Sequence, residues 1–152
     1  PDFKEFLANF AEFAYPYYFK PETAQGLDVS HLAFTQKTFY QYVASNVRNK
    51  RMWALGRLGE CGDGYAVLMM NRYLINNQDV SRFMVNAFDA KGNLVGEKEV
   101  GTVVKEGNDV FNTVEFKVYR DGSVINVEAT EIYHNGHRQP RSVRFNTTLC
   151  NF

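Results

Sequence analysis

Hydrophobic positions along this chain change their period once. Near the start, Phe3, Phe6, Leu7, Phe10 and Phe13 recur at helical spacing, while Lys4, Glu5, Asn9 and Glu12 occupy the opposite face. Asp2 can cap, with Glu5 three residues on as in a capping box, so a helix is predicted from the first residues. It ends before Tyr15-Pro16, because the residue preceding a proline is driven out of helical backbone. A second, shorter helix is predicted over 35–45, with Phe39, Tyr40 and Val43 on its apolar side.

From Arg51 onward the period is two and turn residues punctuate it. The predicted strands run from Arg51 to Glu60, Tyr65 to Ile75, Ser81 to Asp89, Leu94 to Val104, Val110 to Arg120, Ser123 to His134 and Arg141 to Cys150. In the second of these both alternate sets are mainly apolar: Tyr65, Val67, Met69, Tyr73 and Ile75 on one, Ala66, Leu68, Met70 and Leu74 on the other. Such a strand needs cover on both faces, which makes it the central one. Short connections between consecutive strands imply antiparallel neighbours. The expected fold is therefore α+β and a single domain. One or two N-terminal helices, with loop cover through residue 50, pack on a curved antiparallel up-and-down sheet of six to seven strands over 51–152.

Two hairpins of this meander conflict. A two-residue loop at Asp121-Gly122 sets Val118 opposite Ile125, Phe116 opposite Val127 and Val114 opposite Ala129, with Glu115 against Glu128 on the other, wet face. A two-residue turn at Asn135-Gly136 would pair Val127 with Arg144 and leave Val143 and Phe145 in water. A one-residue slip exchanges the faces of a strand, so one extra residue resolves the conflict. A β-bulge is expected at Thr130-Glu131, turning Val143, Phe145 and Leu149 inward and sparing Glu131 from pointing into the core. A longer turn around His134 to Arg138 is the competing account.

Composition narrows the function classes. With 45% apolar and 22% charged residues the chain is ordinary globular protein, and Lys plus Arg equals Asp plus Glu at 17 each. No basic block supplies the charge that a nucleic-acid binder needs, so no nucleic-acid partner is expected. No apolar run approaches the roughly 20 residues of a spanning helix, so no transmembrane segment is expected in this chain. The chain opens at Pro1 without a Met, and any targeting segment is expected to have preceded it. Cys61 and Cys150 have no CxxC spacing; they are either two separate buried thiols or, in an oxidising compartment, a disulfide. In a flat open meander they would lie at opposite edges and could not meet.

Phe3-x-x-Phe6-Leu7-x-x-Phe10, Tyr42-Val43, Trp53-Ala54-Leu55-Gly56-Arg57-Leu58 and Gly64-Tyr65 occur in an order that resembles a loosely defined group of small exported domains of gut Bacteroidetes, mostly uncharacterised lipoproteins or periplasmic proteins. The hairpins Phe88-Asp89-Ala90-Lys91-Gly92-Asn93-Leu94-Val95 and Tyr119-Arg120-Asp121-Gly122-Ser123-Val124 are similar to those of the same group. The resemblance implies an exported bacterial protein, periplasmic or anchored to the outer membrane, with N-terminal helices on an antiparallel sheet. It implies no catalytic residues.

Candidate chemistry is sparse. His134 and His137 flank Asn135-Gly136, but two imidazoles do not complete a tetrahedral metal site and nothing nearby supplies the rest. His31 has no nucleophile signature beside it. Asp89-Ala90-Lys91-Gly92-Asn93 is oxygen-rich, but it lacks the alternating ligands of a calcium loop and reads as a turn. No catalytic residue, metal or cofactor is assigned. The aromatic loop is the least ordinary feature: Tyr15, Tyr17, Tyr18 and Phe19 are side chains of the kind that stack on sugars or anchor protein partners, or that cap the open end of a sheet. Glu131 and Tyr133, beside the expected bulge, are rim candidates. The leading expectation is a non-enzymatic binding domain for a small ligand or a protein partner, using a sheet cleft or this aromatic rim. The alternatives are a small enzyme built on a helix-covered, cone-shaped sheet with an internal pocket, and a structural piece of a surface assembly.

Overall fold

The computed structural model describes residues 2–12, 14–19, 42, 52–107, 109–122, 124–133 and 141–150. Its elements are α1 (Asp2–Leu7), β1 (Tyr17–Phe19), β2 (Met52–Cys61), β3 (Gly64–Ile75), β4 (Gln78–Phe88), β5 (Leu94–Glu106), β6 (Asp109–Val110), β7 (Asn112–Asp121), β8 (Val124–Tyr133) and β9 (Arg141–Leu149). The two apolar faces of β3 find two different covers. Ala66, Leu68 and Met70 join Phe83, Val85 and Ala87 of β4 and pack on Val114, Phe116, Val118, Ile125, Val127 and Ala129. Val67 and Met69 join Met84 and Phe88 and pack under Phe6, Leu7 and Phe10.

The expected single sheet is therefore corrected to two. One has the order β2-β3-β4-β5-β6 and the other β1-β7-β8-β9. Among the described residues the protein is mainly β, with one six-residue helix, so the α+β expectation fails. Each hairpin is antiparallel as expected, but the turn after β5 begins only a two-residue return strand in the same sheet. Asp109 and Val110 pair briefly with Glu106 and Lys105, and the chain then crosses to the opposite layer. The layers approach closely at Gly101 of β5. A Cβ there would lie 2.8 Å from the Phe116 ring, which itself packs on Phe83 with centroids 5.2 Å apart.

Bulges exist, though not where the sequence predicts one. Leu55 and Leu58 in β2, and Val95 and Val100 in β5, are the extra residues at four register shifts. They coil the two strands that flank the continuous β3–β4 ladder. By contrast, β8 pairs with β9 without interruption from Ile125–Leu149 to Tyr133–Arg141, which refutes the bulge at Thr130-Glu131. Val127 lies opposite Thr147 rather than Arg144, a displacement of three positions (147 − 144), because residues 134–140 lie between the paired ends. An odd displacement exchanges faces, so no bulge is needed. Glu131 stays in the row that continues from Ile125, Val127 and Ala129, with Val114 opposite. The side chains of Val143, Phe145 and Leu149 are outside the described set. In the β7–β8 hairpin Asp121 pairs with Val124, which keeps the expected faces but sets Lys117 opposite Glu128, so the expected Glu115–Glu128 clash does not form.

The helix is shorter than its apolar spacing suggests. Asn9 ends it: the side-chain amide donates to the carbonyls of Glu5 and Phe6, each at 3.1 Å, and the last backbone bonds tighten to the i−3 pattern. Phe6 and Phe10 are nonetheless fully buried, and Phe6 packs on Phe88 at 5.2 Å and on Tyr42 at 4.7 Å. Phe13 and, apart from Tyr42, the expected second helix over 35–45 lie outside the described residues, as do His31, His134 and His137.

After Phe10 the chain serves as edging. The Ala11 carbonyl accepts from Arg57 N at 2.7 Å and Glu12 bridges Arg57 in parallel, covering part of β2's open side. β1 then adds to β7, Tyr17 opposite Val118 and Phe19 opposite Phe116. Both contacts occupy strand edges that would otherwise present unpaired backbone. Cys61 and Cys150 form a disulfide with Cα atoms 4.9 Å apart. Barrel closure, which a single sheet would have required, is unnecessary, because β2 and β9 belong to different layers whose ends meet. Arg120 braces the same corner, donating from Nη2 to the Glu60 carbonyl at 2.7 Å.

The β4–β5 turn shows why a calcium loop is not needed to explain its oxygens. Asp89 Oδ1 accepts from the backbone N–H groups of Lys91 and Asn93, each at 2.9 Å, and Oδ2 accepts from Asn93 Nδ2 at 3.1 Å. Gly92 has φ +87 and its Cα lies against the Phe3 ring, where a Cβ would come within 2.9 Å, so the turn also seats the helix.

Three outcomes are expected. Phe10→Ala should destabilise by about 3 to 5 kcal/mol in denaturant melts, the range for a buried Phe; a loss under about 1 kcal/mol would detach the N-terminal segment from the core. Reducing the disulfide, which spans 89 residues, should lower stability by about 4.6 kcal/mol on the chain-entropy argument, read as a fall in the urea midpoint. Bonds from Asn93 hold the Asp89 carboxyl below the usual carboxylate range. Its contribution is therefore complete above the unfolded value near pH ~4 and is lost as pH falls through the depressed folded value. Asp89→Asn should lower the midpoint at pH 7 and flatten the acid limb below pH ~4; an unchanged acid limb would contradict this role.

Candidate functional site

The six sequence-derived candidates separate into three places. Strand alternation divides the aromatic loop. Tyr15 and Tyr17 pack against the core between the sheets, and the Tyr15 hydroxyl donates to the Leu58 carbonyl. Burial raises the pKa of both phenols, with Arg120 partly opposing it at Tyr15. These two rings cap the core. Tyr18 points the other way and is 66% exposed. It borders a polar hollow of about 340 Å³ on the outer face of the β7–β8–β9 sheet, with Glu115, Lys117, Glu128, Thr130 and Arg144. Phe19 pairs through its backbone with Phe116, and its side chain is outside the described set.

Glu131 and Tyr133 belong to a different feature, a cleft of about 520 Å³ at the open end of the two layers. Its walls are Gln78 from β4, Thr102 and Val104 from β5, Phe111 and Asn112 at the crossing between layers, and Glu131 and Tyr133 from β8. The cleft is built on a strand edge that one side chain completes. Asn112, buried, accepts from Val104 N through Oδ1 at 2.9 Å and donates through Nδ2 to the Thr102 carbonyl. Its carboxamide thus takes the place of a neighbouring strand's peptide. Phe111 N–H adds a bond to the Val104 carbonyl at 3.0 Å, leaving the Phe111 ring 41% exposed at the mouth.

Inside, the Tyr133 hydroxyl donates to Glu131 Oε2. Glu131 lies on the inner face that the sequence reading would have spared it. Core residues fill that face as far as Ala129, and the cleft begins where they stop. Two flat rings, a carboxylate, a hydroxyl and carboxamides around one concavity can bind a small molecule or a side chain by stacking and hydrogen bonding.

Of this set the sequence identified Glu131 and Tyr133, for a reason that the ladder refutes, and missed Gln78, Thr102, Val104, Phe111 and Asn112. Phe111-Asn112 carried a usable signal: an aromatic residue outside the alternation of β7, followed by an amide able to mimic backbone. The aromatic loop and the cleft are not brought together. Among the described residues no three His, Cys, Asp or Glu side chains gather as metal ligands, and no helix is long and apolar enough to cross a membrane. Apart from Tyr18 and Phe111, the large exposed apolar side chains among the described residues are divided between Leu74 and Ile75 at one end of the β3–β4 hairpin and Leu94 and Val95 near its other end. Comparison with protein-family models, with curated proteins and with solved structures finds no match to this chain.

Proposed function

We propose that this chain is an exported, non-enzymatic binding domain whose site is the cleft between the two sheets. The observation that carries the reading is Glu131. A carboxylate on the inner face of a packed sheet loses hydration that a core position does not return, and it persists where the site uses it. Here it lies beside Tyr133, with the Phe111 ring at the mouth. Export is supported by the disulfide, since such bonds persist in oxidising compartments. The resemblance of the sequence to small exported Bacteroidetes domains points the same way.

The test is a screen of small aromatic and polar fragments against ¹⁵N-labelled protein. Hits should shift the amides of Thr102, Asn112, Glu131 and Tyr133. Phe111→Ala should weaken them about tenfold, the loss of roughly 1.4 kcal/mol expected for an aromatic anchor, while changing stability by no more than about 0.5 kcal/mol, as for an exposed position. Shifts confined to Lys117, Glu128 and Arg144 would move the site to the outer face and overturn the proposal.

A further inference from the structure

Among the described residues, the cleft's lining carries one formal charge at neutral pH, and it is negative. Of Gln78, Thr102, Val104, Phe111, Asn112, Glu131 and Tyr133, only Glu131 is ionised. Its carboxylate accepts the Tyr133 hydroxyl and forms no ion pair among the described residues. Of the described cations on β3 and β4, Arg82, opposite Thr102 in the ladder, reaches Glu99 at 3.4 Å, and Arg72 holds Asp79 at 2.9 Å. A half-buried carboxylate without a counter-charge attracts a cation more strongly than it would in open water.

The walls determine which kind of cation. Calcium or magnesium needs six or more oxygen ligands, and one carboxylate among two aromatic rings and a valine does not provide them. A cation on a hydrocarbon stem fits better: the charge pairs with the carboxylate while ring faces, negative at their centres, attract it and cover its stem. Tyr133 is suited to this, because donating its proton toward Glu131 enriches its own ring in electron density.

Resting on the reading of this cleft as the binding site, we infer that its ligand presents an organic cation, a primary ammonium or a guanidinium, paired with Glu131 and stacked on Phe111 and Tyr133. Such a group is supplied either by a free amine or by a Lys or Arg side chain of a partner protein.

The probes are benzylamine, its neutral counterpart benzyl alcohol, and the capped peptides acetyl-Gly-Lys-Gly-amide and acetyl-Gly-Arg-Gly-amide, each titrated into ¹⁵N-labelled protein. Benzylamine should bind at least tenfold tighter than benzyl alcohol, shifting Thr102, Asn112, Glu131 and Tyr133. In Glu131→Gln that ratio should fall to near one while benzyl alcohol keeps its affinity. Phe111→Ala should weaken both probes alike. Peptides that bind tenfold tighter than benzylamine identify a protein side chain as the source, and the reverse order identifies a free amine. Equal binding of benzylamine and benzyl alcohol at the cleft overturns the cation and leaves the cleft as a binding site. No shift at the cleft from any probe overturns both.

Discussion

The packing of Phe116 on Phe83, across the side-chain-free surface of Gly101, is the contact on which the two-sheet arrangement depends. Both rings are fully buried, and burying a Phe contributes about 1.5 to 3 kcal/mol from area alone. Neither layer could supply that cover by itself. The β3–β4 pair is apolar on both faces and needs a second sheet on one side and the N-terminal phenylalanines on the other. Bulges in β2 and β5 follow from the same demand, since they coil the flanking strands around a central pair that stays in unbroken register.

Stacking two sheets creates more strand edges than a single meander has, and the chain spends its least regular segments on them. Ala11 and Glu12 lie along β2, β1 lies along β7, and Asn112 completes β5 with a side chain. The Cys61–Cys150 bond joins the end of β2 to the end of β9, tying one layer to the other where no ladder connects them. Tyr15 and Tyr17 serve the same purpose by closing the core beside the Arg120 corner.

The cleft is where this closure stops. Inner-face residues alternate as far as Ala129 and Val114, after which Glu131, Tyr133 and Asn112 continue the same rows with polar groups. The crossing from β5 to β7 holds the opening apart, because the Asn112 amide bonds to backbone and leaves Phe111 at the mouth. The cleft's position in the fold, and a carboxylate with no ion pair among the described residues, are what the proposed binding site rests on.

By itself the sequence determined seven of the eight strands from β2 onward, missing only the two-residue β6, the antiparallel sense of each hairpin, the doubly covered β3 and the burial of Phe6 and Phe10. These follow from side-chain periodicity and turn chemistry, which act over a few residues. It also marked Glu131 as anomalous, because a carboxylate in an inward row breaks the alternation. Only the tertiary structure decided that the strands form two layers, since a turn that continues a sheet and one that leaves it have the same local composition, and the difference lies in what Gly101 and Phe116 touch. The register of β9 was likewise beyond local reading: a connection over 134–140 shifts the pairing by an odd number that no short turn signal encodes. The same limit kept Gln78 and Thr102 out of sight and left the irregular Phe111-Asn112 pair without a meaning, because residues from separate elements acquire a common purpose only when packing brings them to one opening.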